Sequence, residues 1–320
     1  MKLRVNAPSR LHFGIIDMRG DLGRIHGSVG VAIEHPRLVL EIKESSETVI
    51  RGARSGRAAE IIAHLQSIYG IESGVDLSII EDIPEHMGFG SGTQLALAIG
   101  ASFNRLFNLD QTIEGIAVKL ERSKRSGIGT HGFLHGGFIV DGGHSTKHLD
   151  TVPPMVYRRD FPEDWKFVVC LPEINRGYSG EKELIAFKNL EPPPMDMVAS
   201  VAHLVLLQMI PAIIDEDIVL FGDAMTKLDT MFGDYWKEIQ GGTYSHPRIG
   251  ECINHLLELG AYGAGQSSWG PALYGLAEGD RQANQLLKAM DEYLNDADNV
   301  GSAFITSVDN VGAQITEDES

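Results

Sequence analysis

Between Pro84 and Gln94 the chain reads Pro-Glu-His-Met-Gly-Phe-Gly-Ser-Gly-Thr-Gln and passes without a break into the helical Leu95-Ala96-Leu97-Ala98-Ile99-Gly100-Ala101. An apolar run at Ile79-Ile80 precedes it. Glycines at 88, 90 and 92 let backbone approach an anion closely. Ser91 and Thr93 start a helix whose unpaired amides and positive dipole end face the same spot. The segment demands a strand, a tight turn and a helix in succession, and it reads as a phosphate cradle. The plainer reading is a strand-to-helix turn with no ligand. The loop has no Walker lysine, and a second glycine cluster lies near residue 265.

With 320 residues, 43% of them hydrophobic, the chain can hold one large or two ordinary domains with buried cores. Lys plus Arg number 27 against 44 Asp plus Glu, and the net charge of -17 argues against nucleic acid or an anionic membrane as partner. Any phosphate must be held by local groups. No uninterrupted apolar run near the ~20 residues of a bilayer crossing is read in the sequence, and Met1 to Ala7 lacks the apolar core of a signal peptide. A cytoplasmic protein is expected. Cys170 and Cys252 are read as buried thiols outside any disulfide.

Strand-like runs at Lys2–Ala7, Leu11–Ile16, Val29–Glu34, Leu38–Lys43 and Val75–Glu81 interleave with helical patterns at Arg57–Tyr69, Ser91–Phe107 and Thr112–Ser123. Prolines and charge at 152–162 mark a domain boundary, placed after residue 157. Beyond it come a strand at Lys166–Leu171 and helices at Lys182–Asn189, Met197–Ile214, Asp217–Lys237 and Arg248–Leu259. A strand at Ala272–Gly275, a helix at Arg281–Leu294 and a strand at Val300–Ile305 follow. The fold class is α+β in two domains, 1–157 and 158–320, with a frayed tail from Thr316.

Several segments could carry chemistry. If Leu11, Phe13 and Ile15 face the core, then Arg10, His12 and Gly14 share the other face of the strand and line either a cleft or solvent. Asp17 and Arg24 form either a turn-closing ion pair or a site in which Arg24 meets a phosphate and Asp17 a cation, a proton or a metal-bound pyrophosphate. Lys124 to Gly132, with Arg125 and Ser126, is a second anion site or a basic helix end with a glycine cap. The four-residue spacings His131/His135 and His144/His148 hint at metal, but glycines at 132, 136, 137, 142 and 143 argue against a helix that would align each pair. Arg176 to Glu181 is a further anion turn or a simple cap. Trp269 either stacks on an aromatic substrate or fills core space.

Taken together, Pro8 to Gly14, Pro84 to Gly92 and Gly263 to Gly270 resemble the three motifs of the superfamily of galactokinase, homoserine kinase, mevalonate kinase and phosphomevalonate kinase. That resemblance implies an N-terminal domain of the ribosomal-S5 type and a ferredoxin-like C-terminal domain, with the site between them. Gly92 stands where kinase members keep a magnesium-binding serine, and Gly129 where their catalytic aspartate commonly falls. Both departures weaken an ATP-dependent kinase, which stays the alternative. Ser9-Arg10-Leu11-His12-Phe13 with Asp17 and Gly23-Arg24, Met87 to Gln94, Gly127 to Thr130 and Ser268 to Pro271 are similar to one branch, the beta-ribofuranosylaminobenzene 5'-phosphate synthases of methanopterin biosynthesis.

The resemblance implies condensation of phosphoribosyl pyrophosphate with 4-aminobenzoate or 4-hydroxybenzoate, releasing carbon dioxide and pyrophosphate and forming a carbon-glycoside. For that reaction Gly88, Gly90, Ser91, Gly92 and Thr93 are expected to cradle pyrophosphate, Arg10, Arg24, Arg125 and Ser126 to meet phosphates, Trp269 to stack on the acceptor ring, and Asp17, His12 and Arg24 to be the catalytic residues. Magnesium is the expected cofactor. Asp17 is the choice for it or for the cationic ribose, with His12 as partner. Oligomeric state stays open, a homodimer being one option.

Overall fold

A computed structural model of the chain describes residues 1–174, 191–296 and 300–318. The expected helix at 182–189 and the turn at 176–181 lie outside the described residues.

The first sheet is organised by two long strands. The runs expected as separate strands fuse into β1 (Lys2–Asp17) and β2 (Arg24–Ser45), paired antiparallel along most of their length. Register shifts at Ala7/Ser9 and His12/Gly14 let β1 bend without ending. β4 (Gly74–Glu81) and the short parallel β3 (Val49–Arg51) extend the sheet from β2, while β5 (Phe138–Asp141), β6 (His144–Ser145) and β7 (Met155–Arg159) complete it. Its outer edge is β12 (Gln314–Asp318), antiparallel to Lys2–Asn6. The tail expected to fray from Thr316 is thus a strand, because the first residues of β1 present a pairing edge that Ile315 and its neighbours fill.

Helices α1 (Ser55–Tyr69), α2 (Ser91–Leu106), α3 (Ile113–Lys119) and α4 (Ile128–His135) accompany this sheet. α2 is buried almost throughout, which explains why its sequence is apolar on all sides. The glycines around 132 do not prevent α4 from forming. A Cβ on Gly129 would sit 3.2 Å from Thr93 Cγ2, and one on Gly132 3.4 Å from Ala32, so these glycines let the helix press onto its neighbours. His131 and His135 consequently share a face, their rings stacked at 6.4 Å.

The second sheet runs β11 (Gly301–Thr306), β8 (Trp165–Pro172), β10 (Leu273–Glu278), β9 (Gly263–Gln266), all antiparallel. Helices α5 (Met195–Ile214, with a π-helical turn at Val205–Met209), α6 (Ile218–Gln240), α7 (Pro247–Glu258) and α8 (Gly279–Leu294) complete the structure. Asp217 caps α6 by accepting from the Leu220 amide at 3.0 Å. Contrary to expectation, α5 is long and apolar enough to cross a bilayer, since Asp196, His203 and Gln208 interrupt it too sparsely to lower its average. Its stripe Val201, Val205, Met209, Ala212 and Ile213 is buried in the protein core. Cys170 and Cys252 are buried free thiols, and burial pushes both up, Cys252 to about 11.

An aromatic cluster joins the two sheets. Phe13 of β1 lies 6.1 Å from Phe167 of β8, 5.3 Å from Tyr274 of β10 and 6.4 Å from Phe221 of α6. Truncating Phe13 removes the ring that touches all three. Phe13→Ala is expected to cost about 3–5 kcal/mol in urea unfolding, the range for emptying a core aromatic site.

Candidate functional site

Beyond Ala7, where β12 no longer flanks it, the outer edge of β1 is closed by two loops. The Arg10 amide donates to Phe89 O at 3.1 Å, the His12 amide to Ser267 Oγ at 3.1 Å, and the Ser268 amide to His12 O at 3.4 Å. Arg10 and His12 therefore point where the alternation expected them to. The bulge at His12/Gly14 then breaks the alternation, so that Phe13, Gly14 and Ile15 all reach cavity walls.

The two loops are themselves joined backbone to backbone. Gly88 (φ +96°) lies against Ser267 O, and Gly270 against Met87 and the Gly88 amide. A Cβ at either glycine would overlap those atoms. Ser267 Oγ donates to Gly88 O at 2.7 Å, and the Arg10 guanidinium donates to the same carbonyl. The Ala272 amide closes the contact on Met87 O at 3.1 Å. Gly90, at φ +74°, precedes α2 directly, so the amides of the first turn open where the loop ends.

In front of that helix end lies a cleft of about 570 Å³. Gly88, Gly90, Ser91, Gly92, Thr93, Arg10, His12, Arg125, Ser126 and Trp269 line it, so the structure brings together most of the expected site. Three arginines that sequence reasoning missed also line it: Arg54, Arg57 and Arg122. Arg54, just before α1, is buried and pairs through two nitrogens with Asp82, while its Nη1 has no hydrogen-bond partner among the described residues. Burial and the neighbouring Arg57 lower Arg122. Five guanidinium groups thus converge on one cleft of a protein whose net charge is -17. The arrangement suits a ligand with several negative charges.

Asp17 and Arg24 stand outside the residues lining this cleft. Asp17 Oδ1 accepts the Arg19 and Gly20 amides at 2.6 and 3.1 Å, closing the β1–β2 turn. Arg24 Nε donates to Gly142 O at 2.6 Å and its Nη2 to Gly143 O. The residues present do not fit a resident magnesium ion. Among the described residues Glu85 is the sole carboxylate lining the cleft, and no group of three or more His, Cys, Asp or Glu could hold a metal. The aligned His131 and His135 belong to no such group among the described residues, and His131 Nε2 meets Pro153 O at 2.7 Å.

His12, Ile15, Ser268 and Trp269 also border a second, smaller cavity of about 70 Å³. Phe13, Phe232, Trp236 and Tyr244 contribute aromatic walls, and Trp269 meets Trp236 edge-on at 4.8 Å. Trp269 thus stands between an arginine-lined cleft and an aromatic one. His12, buried beside Arg10, is lowered to about 3 and is neutral at ordinary pH.

This two-sheet architecture with a glycine loop at the start of a buried helix is that of the GHMP kinases. Residues 56–137 match the GHMP kinases N terminal domain and residues 209–296 the GHMP kinases C terminal domain. Among solved structures, the mevalonate kinase of Methanococcus jannaschii superposes with a TM-score of 0.69 at 14% identity, covering 96% of this chain and 98% of its own. Homoserine kinase from Cytophaga hutchinsonii gives 0.67 at 14% identity over 98% and 97%. Closer in sequence is the beta-ribofuranosylphenol 5'-phosphate synthase of Archaeoglobus fulgidus, 33% identical over 98% of this chain and 99% of that protein. The enzyme of the same name from Methanothermobacter thermautotrophicus is 33% identical over 87% and 89%. The chain belongs to this synthase family within the GHMP superfamily.

Two outcomes are expected. Gly88→Ala, at a positive φ and against Ser267 O, should cost on the order of 1–3 kcal/mol by urea unfolding. Because His12 takes up its proton far more readily unfolded (near 6.5) than folded (about 3), stability should fall as pH drops from 6.5 toward 3. His12→Gln should make that fall shallower in unfolding measured at pH 7 and pH 5.

Proposed function

We propose that the chain joins phosphoribosyl pyrophosphate to a 4-substituted benzoate, with loss of carbon dioxide and pyrophosphate. The product is a ribofuranosyl-benzene 5'-phosphate. One observation carries the reading: a cleft with five arginines at a helix start shares His12, Ile15, Ser268 and Trp269 with an aromatic-walled cavity. A polyphosphorylated sugar and an aromatic acid need such neighbours. The synthase relatives are named for a ribofuranosylphenol 5'-phosphate product, which points the same way and favours 4-hydroxybenzoate as acceptor over 4-aminobenzoate.

The donor's pyrophosphate would lie on Gly88 to Thr93 and the α2 amides, with Arg10, Arg122 and Arg125 against its charge. As the bond between ribose C1' and the pyrophosphate oxygen breaks, negative charge grows on the leaving group and a cationic centre on the sugar. Guanidiniums already held in place stabilise that charge without reorganising. The ring carbon bearing the carboxylate forms the new bond to C1', and the carboxylate then departs as carbon dioxide, returning its electron pair to the ring. What the protein must supply is alignment of the two reactants and exclusion of water, which would hydrolyse the same centre. Magnesium enters this proposal as a companion of the pyrophosphate, not as an ion the protein houses.

The test is to mix the protein, magnesium, phosphoribosyl pyrophosphate and carboxyl-labelled 4-hydroxybenzoate or 4-aminobenzoate, and count released carbon dioxide. Release is expected from at least one acid. Release from neither, with phosphate transfer from labelled ATP to an alcohol, would establish the kinase alternative instead. Arg122→Ala should lower kcat/KM for the donor at least about tenfold, the loss of one charge-assisted hydrogen bond, with an unchanged melting temperature.

A further inference from the structure

Behind Trp269, α6 carries an acid that the cleft does not use. Asp229 is buried, 7% exposed, and lines the small aromatic cavity. Its Oδ1 accepts the Gln266 amide at 2.9 Å. Its Oδ2 has no hydrogen-bond partner of ordinary geometry among the described residues, although the Tyr244 hydroxyl is close enough to favour the charged form. β9 runs directly against the group, since a Cβ on Gly265 would lie 2.9 Å from Asp229 Cγ. A buried carboxylate oxygen whose neighbouring donor, the Tyr244 hydroxyl, is not in ordinary hydrogen-bond geometry is costly, and a fold keeps it most readily where a ligand completes it.

Resting on the function proposed above, we infer that Asp229 Oδ2 accepts a hydrogen bond from the 4-hydroxyl or 4-amino group of the acceptor, whose carboxylate end faces the arginine cleft. The chemistry asks for an acid at this end of the ring. When the carbon bearing the carboxylate attacks C1', electron density leaves the para substituent, and its O–H or N–H becomes acidic. Asp229 takes that proton as the carbon–carbon bond forms and the C1'–O bond breaks. Loss of carbon dioxide returns an electron pair to the ring, and the proton goes back to the substituent. Atoms and charge balance with no further reactant.

Burial raises the Asp229 carboxyl to about 8, so its basic form gains population through neutral pH. The other titratable groups facing it are His12 from β1, Tyr244 from the turn after α6 and Tyr274 from β10. His12 stays neutral above about 3, and burial pushes both tyrosines up, so none of these titrates in the same window.

The experiment measures labelled carbon dioxide release from 4-hydroxybenzoate by the wild-type protein and by Asp229→Asn across pH 6 to 9. Wild-type kcat should rise toward pH 8. Asp229→Asn should lose about a hundredfold in kcat and the pH dependence with it, while KM for the donor stays unchanged. A folded Asp229→Asn protein with wild-type kcat and pH profile would overturn the assignment and leave the proposed reaction standing. Should the variant not fold, binding is read on the wild type by quenching of tryptophan fluorescence. At pH 8 4-hydroxybenzoate should bind about tenfold more tightly than unsubstituted benzoate, as one hydrogen bond to a charged acceptor predicts. Equal binding overturns the assignment. No release from either acid by the wild type overturns the reaction and this inference together.

Discussion

The whole site hangs on one approach of backbone to backbone. Met87-Gly88 and Ser267-Gly270 lie so close that neither glycine position admits a side chain. This contact brings the glycine loop of one sheet's helix layer against the loop leaving β9 of the other sheet. The Arg10 guanidinium and the Ser267 hydroxyl share the Gly88 carbonyl, which fixes the cationic group relative to the helix start. Behind the contact, Phe13, Phe167, Phe221 and Tyr274 hold the sheets themselves together. Preorganisation of this kind is what charge stabilisation in a dry cleft requires.

Much of the fold could be read from periodicity, and the reasons for the failures are local. Glycine spacing and the apolar helix after it located the tight loop at the start of α2, because close approach and burial restrict residue type strongly. Two pairs of expected strands proved to be two long ones, since a register shift leaves little trace in alternation. Helix α4 was obscured because its glycines serve packing against Thr93 and Ala32, a purpose that only the tertiary neighbours reveal.

The arginines divide in the same way. Arg10 and Arg125 stood next to motif residues and were legible. Arg54 and Arg57 sit at the start of α1 and Arg122 just past α3, outside every glycine motif, and only the packing of those helices brings them to the cleft. Asp229 was hidden inside an amphipathic helix among Asp223, Asp234 and Glu238, where one more acid reads as part of the solvent face. Asp17 and Arg24 show the converse. Density of polar groups marked them out in the sequence, and in the fold Asp17 ties the β1–β2 turn while Arg24 donates to the carbonyls of Gly142 and Gly143.

The closure of β1 has a meaning beyond the site. A strand whose amides and carbonyls face outward is a template on which another molecule's strand can pair. Along Lys2–Asn6 that edge is covered by β12; from Arg10 to His12 it is covered by the loops carrying Phe89 and Ser267–Ser268. The same hydrogen bonds that hold Arg10 against the glycine loop therefore leave this stretch of β1 no open pairing edge, so edge protection and the shape of the cleft rest on one set of atoms.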